Sequence, residues 1–171
     1  MSDPYAYTYP SPLEGYEGLE PLSNEKITEG DHIKGLVNPT PKERSKAYDA
    51  FVAPLANDKR GGFDIHIYYL QTNEFETKFA KELHERIRRE FPELRTYQIW
   101  DRPIGPHPVA MFEVNVFTPE QFGAFVSWLT INRGPLTALV HPNTDDEYRD
   151  HTQRAMWMGT PYPLQTGILK N

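Results

Sequence analysis

Two segments of this chain, FDIHIYYL (63–70) and VAMFEVNVF (109–117), change chemistry from one residue to the next, and that period of two commits them to strands with unlike faces. In the first, Phe63, Ile65, Ile67 and Tyr69 share one face, and Asp64, His66, Tyr68 and Leu70 share the other. In the second, Ala110, Phe112, Val114 and Val116 make an apolar face opposite Val109, Met111, Glu113 and Asn115, with His107 just ahead on that second face. A sheet built from such strands packs helices on one side and leaves its other side for something else.

The intervening segments carry helical punctuation. Asn73 followed by Glu76 makes a capping-box start, and Phe75, Phe79, Leu83 and Ile87 continue at helical spacing to about Glu90, where Pro92 stops the run. LRTYQIW (94–100) supplies a second strand before the turn-rich DRPIGPHP (101–108). Thr118, Pro119 and Gln121 open a second helix with Phe122, Phe125, Val126 and Leu129 on one face, closed by Asn132-Arg133-Gly134-Pro135. LTALVH (136–141) is a fourth strand with Thr137, Leu139 and His141 on one face, and a short helix is expected near 145–155. The order β-α-β-β-α-β predicts an α+β, ferredoxin-like domain over 61–171, one antiparallel sheet with both helices on one face and a C-terminal extension.

Residues 1–60 read differently. The first 62 residues hold seven of the 16 prolines and six of the 11 glycines, with aromatic clusters such as Tyr5, Tyr7 and Tyr9 but no sustained period, which predicts an extended N-terminal arm with one short helix at 41–50 capped by Thr40. The bare sheet face is expected to be covered by this arm or by a second copy of the chain, as in a homodimer. A formal net charge of −6 offers no basic surface to a nucleic acid. The N-terminus lacks a leader pattern and no run reaches the ~18–20 apolar residues of a membrane span, so a cytoplasmic, membrane-free protein is expected. The absence of cysteine excludes disulfides, thiolate nucleophiles and Cys-held metals, leaving His, Asp and Glu as ligands.

The predicted topology, read with strands one and three side by side and parallel and strand four antiparallel to strand one, brings His66, His107 and His141 to one sheet edge on the open face. Three imidazoles converging from distant positions suit Fe, Zn, Cu or Ni. Asp64 and Glu113 lie on the same face as candidate carboxylate ligands. Two His with one carboxylate describes a non-haem Fe(II) oxygenase, and three His with a water describes a catalytic zinc centre; the pattern leaves the metal open. His151 is a surface residue by default that can fold back as an acid/base.

From Phe63 to Trp157 the chain resembles the DOPA 4,5-dioxygenase family of fungi and bacteria. The residues that carry the resemblance are DIHIYY (64–69), GPHP (105–108) running into MFEVNVF, SWL and NRGP within 127–135, HPNTDDE (141–147) and DHT (150–152). The resemblance implies extradiol cleavage of a catechol, an aromatic diol such as DOPA, with ferrous iron and O2, and matches His66, His107 and His141 to the family's histidines. Members associated with pigment chemistry often read His-x-His in strand one, where this chain has Asp64. On that reading His151, or His107 if it is not a ligand, exchanges protons with the substrate; Tyr68 and Trp100 flank the ring; and Arg102 pairs with a substrate carboxylate. Two other functions suit the same residues: a zinc hydrolase on the three histidines, and a non-catalytic dimeric module whose open sheet binds an aromatic metabolite.

Overall fold

The computed structural model of the chain describes residues 9–170. Its contacts divide it into two units, one ending at Arg44 and one beginning at Ser45. In the first, the Ile27 N–H donates to the Gly35 carbonyl and the Ile27 carbonyl accepts from Lys34 beside an isolated antiparallel bridge between Lys26 and Leu36, and Tyr9 is exposed. Tyr5 and Tyr7 lie outside the described residues. The helix expected at 41–50 is a single 3₁₀ turn, Lys46–Tyr48, capped by Ser45 rather than Thr40.

The second unit is an open five-stranded antiparallel sheet, β1 (Phe63–Tyr69), β2 (Arg95–Thr96), β3 (Ala110–Val116), β4 (Thr137–Pro142) and β5 (Met156–Met158), in the order β2-β3-β1-β4-β5. Helices α1 (Glu74–Glu90) and α2 (Pro119–Asn132) form between strands as the caps predict. The Asn73 side chain accepts from the N–H groups of Phe75 and Glu76, and Thr118 accepts from Gln121, while Gln121 reaches back to the N–H of Phe117. The buried stripe of α1 is Ala80, Leu83 and Ile87; Phe75, one turn too early to meet the sheet, is exposed. A four-residue helix, α3 (Glu147–Asp150), stands where a longer one was expected.

The alternation holds on every central strand. Ile65, Ile67, Phe112, Val114, Val116, Ala138 and Val140 pack with Phe125 and Leu129 of α2 and with the α1 stripe into the main core. At about 25 cal/mol per Å² of apolar surface removed from water, this layer dominates the stability of the unit. Gly62 sits against it: a Cβ there would overlap the ring of Phe51, so Gly62→Ala is expected to cost about 1–3 kcal/mol in urea unfolding through forced repacking.

Three expectations are corrected. Strands β1 and β3 are antiparallel, Phe63 facing Val116 and Tyr69 facing Ala110, because a helical crossover makes β2 parallel to β1 and the β2–β3 connection then reverses the chain. The strand predicted over 94–100 pairs as a strand at Arg95–Thr96 alone, with Trp100 forming an isolated bridge to Met111. The second sheet face also carries cover from within this unit. Tyr68, Met111 and Leu139 form a second cluster with Trp100, Val109, Ala155, Trp157, Tyr162 and Leu164, so the segment after β4 supplies part of the lid and its extra strand β5 pairs with β4. Among the described residues no helix is long and apolar enough to cross a membrane.

Candidate metal centre

His66 projects from the middle of β1 and His141 from the end of β4, both on the face opposite the main core, and Asp64 faces His141 across the strand pair. The Nε2 atoms of His66 and His141 lie 3.0 Å apart. His151 follows α3, where its Nδ1–H donates to the Glu147 carbonyl at 2.9 Å, and its ring centre lies 4.0 Å from that of His141. The nearest ligand atoms of His66, His141 and His151 all fall within 4.8 Å of one another.

His107 reaches the same cluster by another route than the sheet edge. With β3 antiparallel to β1, its strand start faces the far end of β1. The chain instead turns tightly between Ile104 and His107, whose backbones bond each other in both directions, with Gly105 at φ +54° supplying the left-handed conformation that the turn needs. This sets the His107 ring 4.1 Å from that of His66, with Nδ1 on the Tyr68 hydroxyl at 2.7 Å. All three histidines expected at the site therefore meet there. His151 joins them, and the set with converging ligand atoms contains His151 in place of His107.

Burial favours the neutral form of His66, His107 and His141. His66 is pushed well below the usual histidine range by burial and then by the neighbouring His107, His141 and His151. Burial, assisted by His151, brings His107 and His141 to about 3. A neutral imidazole keeps one lone pair free for a metal.

The arrangement fits a metal for a specific reason. His141 Nδ1–H donates to the Pro142 carbonyl at 2.8 Å, so its Nε2 carries a lone pair aimed at Nε2 of His66. Nδ1 of His66 is buried with no hydrogen-bond partner and faces Glu113 Oε2 at 3.8 Å. A proton between the two Nε2 atoms would leave the Nδ1 lone pair facing a carboxylate. A proton on Nδ1 faces the Glu113 carboxylate with favourable sign and leaves two lone pairs facing each other, which a cation between them relieves. Their 3.0 Å separation suits two imidazoles sharing one ion at about 2.1 Å each.

The carboxylates stand behind this set. Asn115 donates through Nδ2 to both Asp64 Oδ1 and Glu113 Oε1, and Asn143 Nδ2 donates to Asp64 Oδ1 at 2.8 Å. Burial raises both acids to about 6, opposed at Asp64 by the two amides and reinforced at Glu113 by the charge of Asp64. Glu113 is placed to orient His66, as partners of metal-bound imidazoles do.

The cavity over the cluster, about 210 Å³, is lined by His66, His141, His151 and Asp64 together with Arg60, Asn143 and Glu147. Of the expected ring-binding residues, Tyr68 is fully buried and stacks on Trp157 at 5.7 Å, and Trp100 packs beside it. Neither Trp100 nor the exposed Arg102 lines the cavity. Arg60 and Asn143 were missed by the sequence reading. Asn143 lay within the HPNTDDE motif, whereas Arg60 stands in an irregular loop with no pattern to mark it.

An open antiparallel sheet with helices on one face and a cluster of histidines on the other defines a small α+β protein with a candidate metal centre. The model of the Dopa 4,5-dioxygenase family matches residues 63–168, and the chain belongs to that family. It is 60% identical over 177 residues to an uncharacterized 21.2 kDa protein of Botryotinia fuckeliana, covering 99% of this chain and 95% of that one. It is 40% identical over 110 residues to a DOPA 4,5-dioxygenase of Amanita muscaria, a match spanning 61% of this chain and 48% of that enzyme. A crystal structure of a proposed dioxygenase from Nostoc punctiforme superposes with a TM-score of 0.58 at 35% identity, covering 64% of this chain and 91% of the other.

Proposed function

We propose that the protein is an extradiol dioxygenase that opens the ring of DOPA or a related catechol with O2, using ferrous iron held by His66, His141 and His151. The observation that carries this reading is the convergence of three imidazoles, two of them with Nδ1 tied to backbone carbonyls so that Nε2 is left for the ion. Membership of a dioxygenase family supports it. Bound there, ferrous iron would supply Lewis acidity toward a catechol and the electronic coupling of that catechol to O2.

The chain's own residues do the rest. His141, kept in one orientation by the Pro142 carbonyl, fixes one ligand direction, and His66 stands with its Nδ1 facing Glu113 at 3.8 Å. His107 stands beside them as a neutral base. Its Nδ1 meets the Tyr68 hydroxyl at 2.7 Å, and in the tautomer that carries the proton on Nδ1 its Nε2 lone pair takes a catechol proton and returns it later. Tyr68 remains protonated because burial raises it far above its usual range. The second apolar cluster packs around Tyr68 and keeps water from its hydroxyl.

The test is oxygen uptake by protein reconstituted anaerobically with Fe(II), on adding DOPA and then a panel of catechols, with the absorbance of the product followed. Uptake of one O2 per ring opened, lost in His66→Ala, is the expected result. No uptake with any catechol by iron-loaded protein overturns the proposal, and tight stoichiometric zinc with hydrolytic turnover would replace it by a zinc enzyme.

A further inference from the structure

The cavity over the histidines has one Lys or Arg among its lining residues, Arg60. Of the acids there, Glu147 is exposed and the two more buried ones are already engaged. Asp64 is held by two amides, and the Asp150 carboxylate takes the Thr144 N–H and hydroxyl and the Arg154 guanidinium. Arg60 differs. Its guanidinium pairs with Asp145 at 3.8 Å, where the Asp145 side chain is fully exposed and water competes for the pair, and at longer range its charge acts on Asp64.

The backbone beneath Arg60 is nevertheless fixed. Arg95, which donates through Nε to Asn115 on the sheet, donates also to the Lys59 carbonyl at 2.6 Å and the Arg60 carbonyl at 2.8 Å. The Arg60 N–H donates to Asp58 at 2.8 Å, and Asn143 Nδ2 donates to the next carbonyl, that of Gly61. A side chain with an exposed, weakly engaged head on a backbone tied at four points is suited to meet a ligand with little loss of entropy. Its fork of donors matches a carboxylate. The cavity, about 210 Å³, is below the size of drug-binding pockets and suits a single ring with a short substituent.

We propose that Arg60 is the specificity-determining residue of this site and selects catechols whose side chain ends in a carboxylate. The inference rests on the catechol reading given above and adds to it the residue that would read a carboxylate such as the one DOPA carries. Asp145 is the group that a substrate carboxylate displaces.

The test is equilibrium binding by calorimetry, under anaerobic conditions, to the full-length iron-loaded protein. The probes are 3-(3,4-dihydroxyphenyl)propionate and 4-propylcatechol, which share the ring and differ in the terminal carboxylate. The wild type is expected to prefer the propionate by about tenfold or more, the scale of one charge-assisted pair at a partly exposed site. In Arg60→Gln the two Kd values converge, and Arg60→Lys, which keeps the charge without the fork, restores part of the preference. Equal affinities in the wild type, or a preference that survives in Arg60→Gln, overturns the assignment. If neither catechol binds iron-loaded protein, the catechol reading fails first and the selectivity proposal falls with it.

Discussion

Replacing His141 by alanine is expected to remove both metal retention and turnover. Its Nε2 is the atom closest to His66, and its Nδ1 is tied to Pro142, so no neighbouring side chain can take over the direction it supplies. Loss of an outer partner of a metal ligand typically costs 10–100-fold in affinity, and loss of a ligand itself should exceed about 100-fold. Metal analysis after dialysis should fall from near one ion per chain to a trace. A second readout separates this from misfolding: an ion that binds only the folded protein raises Tm, and that rise should vanish in His141→Ala while the metal-free variant still unfolds cooperatively. A variant that kept one tightly held ion and full activity would move the centre elsewhere.

Asp150→Ala is expected to be the most destabilising single change outside the main core, although the residue touches neither an imidazole nor the sheet. Its side chain is 3% exposed and gathers the Thr144 N–H at 2.8 Å, the Thr144 hydroxyl at 2.9 Å and the Arg154 guanidinium at 2.9 Å. Truncation leaves these donors facing an apolar void. Breaking such a pair from one side costs about 3–5 kcal/mol when the abandoned charge is buried; Arg154, a third exposed, places the expected loss near the lower figure. The same bonds hold the turn between His141 and His151, so metal affinity should fall in parallel with stability. Asp150→Asn, which keeps the shape and one acceptor oxygen, should recover part of both. Urea unfolding and a metal titration on the three proteins decide the matter; an alanine variant within ~0.5 kcal/mol of wild type would show that the network contributes nothing.

Much of this architecture can be read from residue order because it depends on local rules. The faces of β1, β3 and β4 follow from a period of two, and the starts of α1 and α2 from Asn73 and Thr118, whose side chains accept the N–H groups that a helix start leaves open. What was lost lies in how distant pieces meet. The direction of β3 was misassigned, and His107 was placed at an edge when a tight turn at Gly105 in fact delivers it. The extra strand β5, MWM, is too short to show a period, and the prolines around 161–163 mask the packing of Tyr162 and Leu164 beneath Tyr68. Tyr68 and Trp100, candidates for gripping a ring, are consumed by that packing. The arginine that reaches the cavity is the one in a loop without pattern, Arg60, and not Arg102 beside the GPHP turn.

Strand β1 serves two masters seven residues long: Ile65 and Ile67 belong to the packed layer, Asp64 and His66 to the chemistry, in strict alternation. A deletion or insertion of one residue there would exchange the two sets at a stroke, sending an imidazole among aliphatic side chains and an isoleucine into the cavity. Substitution can adjust either face alone, but length cannot change at all. Gene-length variation among related chains is therefore expected to accumulate in loops and termini and to be absent from 63–69, a pattern that a comparison of homologous genes would reveal at once.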